Sequence, residues 1–212
     1  MFARHLLVLK SEVRRQKSAP VFCLLSSVFC LLVPLTAESA PPARIEVVAR
    51  IYNTAQVTAA ITDAALSIAS GSMAAGRIDT VWKNCDSSDV CGTAPAAREL
   101  VIRLVRSRAA TAGGVPFVLG EASIDVNERA GVLATIYVDR VERMAELSAA
   151  NAALLLGRAI AHELGHLLLA TNAHSATGLM RAYWSPRDIR GNQIADWVLS
   201  REDVAAIRRR FQ

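Results

Sequence analysis

The chain has 212 residues, a formal net charge of +5, 52% hydrophobic residues and only 5% aromatic ones. Five basic residues (Arg4, Lys10, Arg14, Arg15, Lys17) and two acidic ones (Glu12, Glu38) fall in the first 39 positions, which leaves 19 basic against 17 acidic beyond them, net +2. So small an excess, with no basic stripe interleaved with aromatics, excludes nucleic-acid binding, and the roughly 170 remaining residues suit one domain with a substantial core.

The N-terminal segment reads as an export signal. Arg14, Arg15 and Lys17 precede an apolar run over residues 21–35, the length of a signal-peptide core and short for a membrane span. Ala37 and Ser39 are the small residues that signal peptidase requires, so cleavage is expected near Ser39/Ala40. An uncleaved anchor is the alternative. The expected product, residues 40–212, is one secreted or periplasmic domain, a monomer with no membrane span.

Residues 44–52 are rich in β-branched side chains and predict a strand. Residues 54–73 carry apolar side chains at helical spacing and predict an amphipathic helix ended in the Gly71–Gly76 region. A short strand over 78–82 runs into a loop bounded by Cys85 and Cys91. An exported chain with two cysteines in so short a loop favours a disulfide, contributing about 2–3 kcal/mol on the chain-entropy model; two free thiols are the alternative. Asp86 and Asp89 within it are read as a hydrophilic turn, so calcium is not indicated. Residues 99–106 alternate as a half-buried strand. Gly113, Gly114 and Pro116 mark a turn, residues 117–124 a weaker strand, 127–131 a loop and 133–138 another strand.

Residues 148–170 predict a long helix, apolar nearly all round and therefore central. Irregular chain is expected to residue 199. Ser200, followed by Glu202 and Asp203, opens a terminal helix over 200–210. The order predicts an α/β sandwich: a mixed twisted sheet, helices against it, a long central active-site helix and a C-terminal helix.

The chemistry concentrates in the long helix. Of the four histidines, one is His5 in the leader; the others are His162, His166 and His174. Histidines four apart on a helix share a face, so His162 and His166 can reach one metal ion. Glu163 between them completes H-E-x-x-H, the zinc-hydrolase pattern. Catalytic zinc usually takes three protein ligands and keeps one position for water. A straight helix cannot supply the third, so the chain must stop and fold back. Asn172, tolerant of the left-handed conformation, is the expected stop, and His174 the third ligand. Glu163 is then the general base that takes a proton from a zinc-bound water and hands it to the leaving amine.

His162-Glu163-Leu164-Gly165-His166, with His174-Ser175 and Gly178-Leu179-Met180 after it, resembles the metzincin zinc endopeptidases, the matrixin branch most of all. The resemblance implies a zinc-dependent endopeptidase acting on proteins or peptides. In it His162, His166 and His174 hold one zinc ion, Glu163 is the base, and Met180 lies in a tight turn beneath the metal. The order of elements over residues 44–212 fits coarsely; the specific match is confined to 162–180. His174 comes two residues later than the family spacing, which would use Asn172, and Leu169 stands where the family ends its helix with glycine. Tyr183, three residues after Met180, is one position off from a tyrosine that stabilises the transition state in some members. Two other readings fit the residues: an H-E-x-x-H hydrolase with a carboxylate third ligand, Asp188 or Glu202, and a non-catalytic zinc-binding or adaptor protein on the same fold.

Overall fold

The computed structural model describes residues 43–86, 91–92, 94–95, 99–107, 118–125, 127–128 and 130–211. The expected leader over 1–39, the expected turn at Gly113, Gly114 and Pro116, and Asp89 lie outside the described residues.

Five strands form one mixed sheet in the order β2-β1-β3-β5-β4. They are β1 (Ile45–Asn53), β2 (Ile78–Asn84), β3 (Glu99–Val105), β4 (Gly120–Asp125) and β5 (Ala130–Tyr137). The β1, β2, β3 and β5 pairings are parallel, and β4 runs antiparallel to β5 at the edge. Alternation sets the two faces: Val47, Ala49 and Ile51 of β1, Ile102 and Leu104 of β3, and Ala134 and Ile136 of β5 are buried in one core. The fold is a mixed α/β arrangement, as the order of elements predicts.

Helix α1 (Ala59–Ala74) packs on β2 and crosses α3 (Ala152–Leu169), which also covers β4 and β5. Residue after residue from Leu155 to Leu168 is buried. Such a run closes its backbone hydrogen bonds internally and can lie at the centre of the domain. The helices meet closely at Gly157. A Cβ there would stand 2.5 Å from the Ala65 carbonyl oxygen and 2.7 Å from Ile68 Cβ. Gly157→Ala gains up to about 1 kcal/mol of helix propensity but forces the helices apart. It is expected to destabilise the fold by about 1–3 kcal/mol net, read as a Tm several degrees lower in a thermal melt.

Several boundaries differ from expectation. α1 starts at Ala59 rather than 54. The Asn53 side chain accepts from the Val57 amide (3.0 Å) and donates to its carbonyl (2.7 Å), holding 53–57 as a loop with Gln56 at φ 57°. Ala130 and Gly131, expected in a loop, already belong to β5. A helix α2 (Val138–Leu147) was not expected at all. β5 runs into it with no glycine, proline or asparagine between, so Val138 reads as the end of a strand. Residues 148–150 are therefore a turn, and α3 begins behind Asn151, whose side chain accepts from the Leu154 amide. The irregular stretch to 199 contains a short helix α4 (Pro186–Arg190) and one 3-10 turn (Ile194–Trp197). The last helix, α5 (Arg201–Phe211), has the expected cap, with reciprocal bonds between Ser200 and Asp203. Cys85 and Cys91 are joined by a disulfide, Cα atoms 5.4 Å apart.

Candidate metal centre

α3 delivers His162, Glu163 and His166 from its last turns, all buried. It stops at Ala170, which takes the left-handed conformation (φ 48°, ψ 52°). The expected stop at Asn172 is thus corrected: the turn-back comes two residues earlier. Alanine carries the Cβ that makes this conformation costly, so the stop at Ala170 is held by its surroundings and not by residue preference. The early stop supplies the extra loop length that the late histidine needs. Ala170 and Thr171 amides then donate to Leu167 and His166 carbonyls, and His174 returns over the helix.

The three imidazoles come together. Ring centroids are 4.7 Å (His162–His166), 5.3 Å (His162–His174) and 4.8 Å (His166–His174) apart, and one ligand atom from each lies within 4.8 Å of the others. His174 is the exposed member. Two main-chain acceptors orient the helix pair. His162 Nδ1 lies 2.8 Å from the Leu179 carbonyl oxygen, and His166 Nδ1 lies 2.8 Å from that of Thr171. A carbonyl only accepts, so each Nδ1 carries the proton and each Nε2 presents a lone pair. The two Nε2 atoms face each other at 3.1 Å. Two lone pairs at that distance repel unless an electrophile sits between them. A divalent ion with imidazole ligands satisfies that requirement, and the outer Nδ1–H···O=C bonds are the usual partners of metal-binding histidine.

Met180 is buried beneath α3. A Cβ on Gly165, the residue before His166, would stand 2.4 Å from its Sδ. The chain reaches it by a tight turn: Gly178 has φ +73°, the Ser175 amide donates to the Met180 carbonyl, and the Leu179 amide to that of Val198. Neither carboxylate weighed as third ligand joins the cluster. Asp188 Oδ2 accepts from the amide and hydroxyl of Ser185, capping α4, and Glu202 is exposed on α5. Tyr183 is 76% exposed at the rim of the cleft rather than packed under the site.

Glu163 makes no hydrogen bond or ion pair among the described residues. It is pressed against the edge strand, where a Cβ on Gly120 would meet its Cγ at 2.8 Å. Glycine in a strand often marks such close approach, and this was the one signal of Gly120 in the sequence. A cleft of about 710 Å³ opens over the cluster, walled by Leu119 and Gly120 on one side and Trp184 and Ile189 on the other. Trp184 meets His162 edge-on at 5.5 Å.

Burial pushes His162 down to about 4, helped by the neighbouring imidazoles, and lowers His166 for the same reasons. Burial first, and Glu121 second, push Glu163 up to about 8. Without metal His162 and His166 are therefore neutral at pH 7, in the form that binds metal. The signs oppose each other. On the acid side, His162 and His166 of the unfolded chain take protons near pH 6.5 that the folded ones refuse. On the alkaline side, the unfolded Glu163 ionises freely while the folded one resists up to about 8. Metal-free protein thus loses stability through His162 and His166 as pH falls below about 6.5, and through Glu163 as pH rises from about 4.5 to about 8, so that above pH 6.5 only the Glu163 loss continues. Urea midpoints in chelator at pH 5, 6.5 and 8 check this: Glu163→Gln should abolish the fall between pH 6.5 and 8 and steepen the rise between pH 5 and 6.5.

No protein-family model matches the chain, and no curated protein matches it. Among solved structures it is similar to archaemetzincin from Methanopyrus kandleri, at 15% sequence identity and a TM-score of 0.47, over 81% of this chain and 97% of that one.

Proposed function

We propose that the chain is a zinc-dependent endopeptidase. The observation that carries the reading is the meeting of three imidazoles, two of them held with bare Nε2 lone pairs face to face, beside the buried side chain of Glu163, which makes no hydrogen bond or ion pair among the described residues.

His162, His166 and His174 would hold the ion, with Met180 packed beneath. Zinc bound there supplies Lewis acidity, acidifying a coordinated water and polarising the scissile carbonyl. The protein's own part is proton management. Glu163, held neutral at pH 7 in the metal-free protein, would be ionised beside a bound cation, and in that form accepts the proton released as water attacks and passes it to the departing amine. Its buried position beside Gly120 leaves the carboxylate facing the cleft, and the apolar walls limit competing water. Tyr183, at the rim, is the candidate for an added hydrogen bond to the developing oxyanion once a substrate covers it. The edge strand β4 flanks the same cleft and offers unpaired main-chain groups to an extended peptide.

The same reading places the work outside the cytoplasm. The leader over 1–39 is removed near Ser39/Ala40, and the Cys85–Cys91 disulfide suits that compartment. N-terminal sequencing of the exported protein should begin at residue 40 or 41; a product that still begins at Met1 would overturn this part. Metal analysis with a peptide digest tests the activity. One zinc per chain and cleavage abolished by chelator are expected; chelator-resistant cleavage would overturn the reading.

A further inference from the structure

Arg181 follows Met180 directly, so the turn beneath α3 fixes where it stands. Its guanidinium lies 4.8 Å from the ring of Trp197, which is buried. Trp184 touches the same ring at 4.8 Å and also meets His162. Arg181 and Trp184 therefore share one wall of the cleft, beside the histidines. That wall is rich in donors and short of acceptors. Nε and Nη2 of Arg181 and Nε1 of Trp184 are shielded from solvent and donate to nothing among the described residues. A second cation backs it: Arg158 lies 4.0 Å from the centroid of the same Trp197 ring and gives its N–H groups to the Ile189 and Gly191 carbonyls. Asp188 is the one carboxylate in contact with Arg181 among the described residues. It is 3.9 Å away, too long for a hydrogen bond, and its other oxygen is committed to Ser185.

A guanidinium cannot relieve this by losing its proton. Buried donors left without acceptors each cost about 1–3 kcal/mol, more for a charged group. Sixteen per cent of the Arg181 side chain remains open, and a turn of the guanidinium about its own stem would bring the two shielded donors to an acceptor bound in the cleft it lines. A carboxylate, planar with two acceptor oxygens, matches the guanidinium fork.

We propose that Arg181 forms a carboxylate subsite in the cleft, so that the peptides bound beside the three histidines carry an acidic side chain or a free C-terminal carboxylate near the bond presented to Glu163. The inference names the substrate class for the peptidase reading and rests on it for the ligand being a peptide.

Two measurements test it. The first is digestion of a randomised peptide library, free and C-terminally amidated, by the zinc-loaded protein. An acidic side chain as the target predicts Asp and Glu enriched about tenfold over Asn and Gln at one position near the cut. A terminal carboxylate as the target predicts cuts at a fixed short distance from the C-terminus that vanish on amidation. Either preference should collapse in Arg181→Gln and survive in part in Arg181→Lys. The second is tryptophan fluorescence titration of zinc-loaded Glu163→Gln with a capped Glu-containing peptide and its Gln isostere, repeated with peptides ending in carboxylate and in amide. The carboxylate member of a pair should bind about tenfold tighter. If no peptide is cut but that difference persists and Arg181→Gln erases it, the peptidase reading fails and the subsite stands. Equal binding within both pairs, or a preference untouched in Arg181→Gln, overturns the subsite. Should Arg181→Gln not fold, the wild-type comparison of carboxylate with amide decides alone.

Discussion

His166→Ala protein is expected to lose zinc on dialysis and to bind it more than about a hundredfold more weakly, a larger loss than removing an outer partner causes. His166 supplies one of two Nε2 atoms held 3.1 Å apart, and its removal leaves His162 with a single partner on an exposed loop. His162→Ala should match it. His174→Ala separates the ligand sets. If the third donor is this imidazole, metal content falls with it, by less because the helix pair remains oriented by the Leu179 and Thr171 carbonyls. Full zinc stoichiometry in His174→Ala, measured by elemental analysis, would transfer the third position to another group and sink the three-histidine assignment.

Glu163→Gln should keep one zinc per chain and lose peptide hydrolysis by about 10²–10⁴-fold, the range for deleting a general base. The amide is nearly isosteric and fits the space against Gly120, so a folding defect is not expected. The pairing of intact metal with lost turnover is the diagnostic result. Cleavage within a factor of about two of wild type would remove Glu163 from the chemistry. Absence of cleavage in wild type and variant alike, with zinc bound in both, would favour a non-catalytic zinc-binding protein.

Legibility in the sequence followed how local each cause is. Residues 99–105 alternate and are a strand. His162 and His166 share a face because four residues make about one helical turn. α2 was hidden because nothing punctuates the passage from Tyr137 to Val138. The helix stop differs from expectation, Ala170 rather than Asn172, because intrinsic tolerance of the left-handed region favours asparagine, whereas the folded chain takes that conformation at an alanine. The carbonyls of Leu179 and Thr171 left no trace, since main-chain atoms are the same in every residue. Arg181 was missed for another reason. Its meaning depends on Trp184 and Trp197, and only the folded chain sets them on one wall.

Because both orienting acceptors belong to the backbone, the tautomer of each helix imidazole is governed by the route of the chain and not by the identity of any side group along it. Substitutions at Thr171 or Leu179 that keep the route should leave proton placement on the rings as it is. A cut in the peptide between them, which changes no side group at all, would free the rings to turn.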